Sequence, residues 1–221
     1  MRRTLIRAAL ALGCAVTVSA GGARAGADPP QAERSFPITE KWSVERLLSL
    51  TKAEVVALWK TLDPPAFTEL DGHYMGLIPN AGAPATQKST GDFMYNQEST
   101  RGYWLGKAYK PTSATKGEGY NRWRFPGGKV VLNLRFGTAI ATSLIDDKPS
   151  YMMYYGAYNK NSTLIDELRK LDDYIYIGMG TTDQGNGKRS DPGHFVLVGP
   201  TDNWVGVDKV PMKKSTSSMQ R

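Results

Sequence analysis

Two histidines are the only side chains here whose ordinary pKa lies near neutrality, so acid–base chemistry would start with them. His73 stands in Leu70-Asp71-Gly72-His73-Tyr74, beside an acid and a phenol, where an interior position would make it a general base. Tyr155 and Arg135 are the partners that proton transfer would recruit. The reactions open to such a set are dehydration, isomerisation and retro-aldol cleavage, which need one or two such groups and no cofactor. The chain has no G-x-S-x-G elbow, H-E-x-x-H pair or phosphate loop to support another class. His194 is the second candidate, and the alternative for both is a histidine that only packs. Asp172-Asp173 resembles a carboxylate pair, but neighbours on a strand point to opposite faces, and the pair reads as a turn. Asp183 and Asn186 lack the alternating acids and closing glutamate of a calcium loop, so no metal is expected.

A second group of residues suits binding more than catalysis. Two-residue alternation puts Tyr120, Arg122 and Arg124 on one face of a strand and Asn121, Trp123 and Phe125 on the other. The segment 150–158 divides into Tyr151, Met153 and Tyr155 against Met152, Tyr154 and, after a break at Gly156, Tyr158. Tyrosine and methionine together suit a cavity that is apolar but holds a few polar contacts. The expected pocket takes a hydrophobic small molecule, ring-containing or anionic, against Tyr74, Trp104, Trp123, Tyr151, Met153 and Tyr155. Arg122 or Arg135 is available for a carboxylate or phenolate. The competing reading stacks these arginines on Trp104 or Trp123 as a cation–π closure of a barrel end.

These residues lie on strands. The stretch 120–158 alternates between turn formers, Pro126-Gly127-Gly128 and Asp146-Asp147-Lys148-Pro149, in the manner of consecutive hairpins. Strands are expected near 71–78, 92–97, 102–109, 120–125, 129–136, 138–145, 150–158 and 174–180, with 194–198 as an extra. Eight or nine short strands suit an up-and-down barrel, which closes and leaves no edge, and eight strands can enclose one small ligand. Before them, Ser43 caps a short helix, and Thr51 with Glu54 has capping-box spacing ahead of the stripe Val55, Leu58, Trp59 and Leu62. That stripe is expected to plug one end of the barrel. The segments 80–91 and 110–119 read as loops, and 161–171, with Leu164, Ile165, Leu168 and Leu171, as a short helix before the last strands.

Gly72-His73-Tyr74-Met75-Gly76 and Gly102-Tyr103-Trp104-Leu105-Gly106 both flank a ring with glycines at G-x-[YW]-x-G spacing. Glycine weakens a strand unless curvature or close backbone approach requires it. Here the chain resembles the lipocalin-like (calycin) proteins, in particular GXWXG-type bacterial members that open with a helix like that at 51–62. The literal pattern falls at Gly102 to Gly106 and not on the first strand, where Tyr74 replaces tryptophan. The resemblance implies a mainly β fold: a single antiparallel barrel with a helical segment before it and a ligand inside.

Arg2, Arg3 and Arg7, an apolar run to Val18, and Ala23-Arg24-Ala25 make 1–25 a signal peptide, by general secretion or a twin-arginine route, for a periplasmic or secreted protein. Cys14, the one cysteine, offers lipidation as an alternative. Removing 1–25 takes four arginines and no acid, leaving 24 basic against 21 acidic side chains. That balance, with no basic run before Lys213-Lys214, excludes a nucleic-acid partner. No later run is long enough for a transmembrane helix. The expected organisation is a linker at 26–40, the helical segment at 41–65, the barrel at 66–205 and a disordered tail at 206–221. Three functions compete: a carrier of a hydrophobic small molecule, a cofactor-independent lyase or isomerase acting on one, and a structural module with a filled barrel and an exposed apolar patch.

Overall fold

The computed structural model describes residues 42–96 and 98–206. The signal segment, the linker and all but the first residue of the tail lie outside that range. Eight antiparallel strands form one closed barrel in chain order. They are β1 Gly72–Leu77, β2 Tyr103–Pro111, β3 Gly117–Arg124, β4 Val130–Thr142, β5 Pro149–Tyr154, β6 Ile165–Asp172, β7 Ile175–Thr181 and β8 Gly193–Asp202. β8 closes the barrel on β1, with Met75 opposite Val198 and Leu77 opposite Val196, so the strand expected as an extra is the one that removes the last edge.

Alternation decides what fills the interior. Tyr74, Tyr109, Phe136, Tyr151, Met153, Leu168, Tyr176 and Leu197 point inward and form one core with Leu70. Their rings meet edge-on, with Tyr74–Tyr109, Tyr74–Tyr176 and Tyr109–Tyr151 centroids 5.5, 5.6 and 5.9 Å apart. Such large rings fit because glycines face them. A methyl group on Gly76 would lie 2.5 Å from the Trp104 ring, and one on Gly178 2.1 Å from Phe195. The two G-x-[YW]-x-G segments pack against each other, Gly106 at φ 123° lying against the Tyr74 carbonyl, which is the close approach their spacing implied.

The two ends differ. A 3₁₀ turn at Phe67–Glu69 closes the end where β1 begins: Phe67 stacks on Tyr151 at 5.3 Å, and the Glu69 carboxylate accepts from Tyr176 at 2.7 Å and pairs with Lys170 at 2.9 Å. The opposite end is the mouth, where β1 leads into α3 (Pro84–Met94), a helix with no buried residue. The helices α1 (Val44–Ser49) and α2 (Lys52–Lys60) follow their expected caps, Ser43 accepting from Arg46 N–H and Thr51 with Glu54 forming the full capping box. They do not plug an end. Leu47, Val55, Leu58 and Trp59 pack on Ile175, Ile177, Met179 and Val196, which point outward from β7 and β8. The helical stripe therefore covers the wall, and the 3₁₀ turn does the plugging.

Three other expectations are corrected. The loop 80–91 and strand 92–97 are largely the single helix α3, started by Pro84 at its first turn, a position that needs no N–H. The helix expected at 161–171 is β6. Its leucines matched a helical period by chance because both faces of this strand are buried: Asp166 and Leu168 face in, while Glu167 and Arg169 face out. Arg169 is held under α2 by two hydrogen bonds to Asp146, at 2.6 and 2.7 Å, and by the Trp59 ring 3.8 Å away. The strands expected at 129–136 and 138–145 are one strand, β4, bent at Leu134 (φ 52°) where the pairing with β3 shifts by one residue. The loop expected at 110–119 shrinks to the turn between β2 and β3.

Candidate functional site

Midway between the ends, the ring core is interrupted by a layer of buried polar groups. Lys107 of β2 lies opposite Asn121 of β3. Its Nζ donates to Asp166 Oδ2 at 2.8 Å, Tyr155 Oη at 2.5 Å and Asn121 Oδ1 at 3.0 Å. Three acceptors match the three protons of an ammonium. Tyr155 Oη in turn donates to Asp166 Oδ2 at 2.9 Å and accepts from Asn121 Nδ2 at 3.0 Å, while Trp104 Nε1 donates to Asn121 Oδ1 at 3.1 Å. The side chains of Lys107 and Asp166 are only 4% and 6% exposed. The Trp104, Phe136, Tyr155 and Phe195 rings surround the ammonium at 5.0–5.7 Å.

Burial pushes the Lys107 amine below its usual range, and the Asp166 carboxylate opposes that shift. Burial, and then the same carboxylate, drive the Tyr155 phenol far above its usual value, so it stays protonated and donates. A buried ion pair stabilises a fold less than apolar packing of the same volume does, and losing one partner is expensive. A core shaped for stability alone would place leucine here.

Above this layer lies the mouth. Trp123 and Asn133 point inward, Trp123 opposite Val131 and Asn133 opposite Asn121. Trp123 Nε1 and Asn133 Oδ1 are buried and have no hydrogen-bond partner. Met94, Phe125, Leu134, Leu164 and Ile78 pack on the core from the rim. Beneath α3, a cleft of about 280 Å³ opens between Leu48 of α1, Ile78, Asn80, Gln87, Gly91 and Tyr95. Tyr95 Oη accepts from Ile78 N–H at 2.7 Å, tying the end of α3 to the end of β1.

The six expected cavity residues without charge, Tyr74, Trp104, Trp123, Tyr151, Met153 and Tyr155, are all inward and buried. The others are elsewhere. Arg135 points out, ion-paired with Glu118 and stacked on Tyr158 at 3.9 Å. Arg122 also lies on the outer face, and neither arginine stacks on Trp104 or Trp123. His73 shares that outer face: Ala108 on the intervening strand is small, so His73 Nε2 reaches Tyr120 Oη at 2.9 Å across it. Burial and then Arg122 lower the His73 pKa, with Asp202 opposing, and Nδ1 is unpaired. His73, Tyr155 and Arg135 are thus not assembled into one site; strand parity puts the first and last outside and Tyr155 within. His194 also faces out, its pKa lowered by burial.

Lys107 and Asp166 were missed in the sequence for separate reasons. Plain alternation from Trp104 turns Lys107 outward, but a register shift between Trp104 and Gly106 returns it to the interior. Asp166 lies in the segment whose leucines read as a helix. The readable signal was Gly106 itself, a glycine inside a strand and next to a lysine. Among the described residues no group of three His, Cys, Asp or Glu is placed to hold a metal, and no helix is long and apolar enough to cross a membrane.

No known protein family matches the chain, and neither does any curated protein. A solved structure, of a protein from Thermomonospora curvata, is similar over 67% of this chain and 87% of its own, with 17% identity and a TM-score of 0.45. A likeness at that level carries neither fold nor function across.

Proposed function

We propose that this is an exported, lipocalin-like barrel that binds one hydrophobic small molecule at its mouth, beneath α3. The barrel has the size that can hold a small ligand. The observation that carries the reading is the 280 Å³ cleft under α3, because Ile78 lines it and also packs on the interior core. Trp123 and Trp104 do not line the cleft, and in this reading a ligand reaches them past Ile78, the residue that the cleft and the core share. α3 has no fully buried residue, and its hold on the barrel is Met94 against the core and Tyr95 Oη at Ile78 N–H. Tyr74, Tyr151 and Met153 act from below, as the packed floor that holds the polar layer in place. Export rests on the signal-like segment 1–25.

The test is a titration of the mature protein with the neutral dye Nile red. Saturable, one-to-one fluorescence enhancement that is lost when Ile78→Trp fills the cleft supports the reading. Enhancement unchanged by Ile78→Trp removes the site from the mouth.

A second reading is favoured by one observation, an amine made less basic by burial beside a protonated phenol and a carboxylate. Having passed a proton to Asp166, the neutral Lys107 amine would then remove a proton next to a carbonyl, as a cofactor-independent isomerase or lyase requires. Deuterium uptake by 2-tetralone in heavy water, faster with wild type than with Lys107→Met, is its signature. Equal rates eliminate it.

A further inference from the structure

We infer that the ligand of this mouth is a neutral molecule carrying a hydroxyl group, an alcohol or a phenol, held by Trp123 and Asn133, and not an anion. This rests on the mouth-binding reading and narrows it. The first argument is charge. In the interior, Lys107 is paired with Asp166, and at the closed end Lys170 is paired with Glu69. Arg122 and Arg135, which would have met a carboxylate, stand on the outer wall. Arg101 and Arg124 stay at the rim surface, over the Phe93 and Tyr103 rings. Among the described residues, the barrel interior offers an anion no unpaired cation and confronts it with the carboxylate of Asp166.

The second argument is hydrogen-bond demand. Among the described residues, two of the buried polar atoms without a partner belong to side chains that face the interior: one donor, Trp123 Nε1, and one acceptor, Asn133 Oδ1. Trp123 is 3% exposed, and such a group left unpaired is destabilising unless something arrives to pair it. The two residues are diagonal neighbours on adjacent strands, a separation of roughly 7–8 Å between backbones. One oxygen that accepts from the indole and donates to the amide spans about 5 Å between the two heavy atoms, given hydrogen bonds of ~2.9 Å. A hydroxyl does both. A carboxylate only accepts, and would leave Asn133 Oδ1 facing negative charge. A hydrocarbon does neither.

The experiment is equilibrium dialysis of the mature chain against three probes with one ring system: 2-naphthol, naphthalene and 2-naphthoate. The expected result is at least tenfold tighter binding of 2-naphthol than of either other probe. Trp123→Phe and Asn133→Leu should each reduce naphthol to the naphthalene level. Asn133→Leu should also raise the melting temperature of the unliganded protein, because the atom removed has no partner, a gain that a merely structural asparagine would not give. Tightest binding of naphthoate overturns the inference in favour of a charged ligand. Equal binding of naphthol and naphthalene overturns it in favour of apolar filling, with an ordered water only between Trp123 and Asn133. Naphthol preference that survives both substitutions shows that the hydroxyl is read elsewhere. If none of the three binds, the mouth-binding reading falls, and this one with it.

Discussion

Replacing Asp166 by Asn should destabilise the barrel more than any other single polar substitution in its interior. The change keeps the shape but removes the charge opposite Lys107, whose ammonium lies 2.8 Å away with almost no solvent contact. Breaking a buried pair on one side typically costs about 3–5 kcal/mol, because the remaining charge stays desolvated. For a domain of this size 1 kcal/mol moves the melting temperature by roughly 2–4 °C, so the expected loss is about 6–20 °C. The sign of the pH dependence follows. With the carboxylate gone, burial alone acts on Lys107 and keeps its folded-state pKa below the unfolded value of about 10.4. Between those two values the unfolded chain binds more protons, so Asp166→Asn should gain stability as pH rises from 7 towards 10. Lys107→Met combined with Asp166→Asn should recover much of the loss and show no such rise. Urea unfolding at pH 7, 8.5 and 10 measures all three proteins. A loss below about 1 kcal/mol for Asp166→Asn, or a pH profile shared with the double variant, would refute the picture of a dry, charged layer.

Gly178→Ala drives a methyl into the Phe195 ring and should lose about 1–3 kcal/mol in urea, whereas Gly91→Ala, in α3 with open space around it, should be neutral or gain up to about 1 kcal/mol. Asp146 gives the same pH sign as Lys107 in an acidic window: burial raises its pKa, but the Arg169 guanidinium, the Lys148 backbone N–H and the Ser143 hydroxyl outweigh that and hold it below the usual carboxylate range. Its contribution is present above the unfolded pKa and lost as pH falls through the folded one, so Arg169→Met should flatten the loss of wild-type stability between pH 5 and pH 3 in thermal melts. His73→Gln, on the outer face, should leave Nile red affinity within twofold of wild type; a tenfold change would place the outer face in the binding path.

The barrel was legible because its rings obey parity. Tyr151, Met153 and Tyr155 shared a face in the sequence and share the interior, and the glycine spacing around Tyr74 and Trp104 marked where backbones meet. What stayed hidden has two physical causes. Strands buried on both faces lose their alternation, so β6 with Asp166 inside and Arg169 outside mimicked a helix. Bulges reset parity, which is how Lys107 turns inward beside Gly106, a glycine that marks the spot without giving the direction, and how Leu134, which no glycine marks, bends one strand where two were expected. Arg122 and Arg135 illustrate a third limit. Alternation says that two side chains share a face, but which face is the core is decided by the whole barrel.

Native mass spectrometry of the mature protein, purified from the cells that make it, tests the central claim most directly. The account expects a fraction carrying one small molecule of a single mass, displaced by excess 2-naphthol and absent from Ile78→Trp. A spectrum at the bare protein mass, together with no uptake of Nile red, would contradict it and leave a barrel whose interior serves only its own packing.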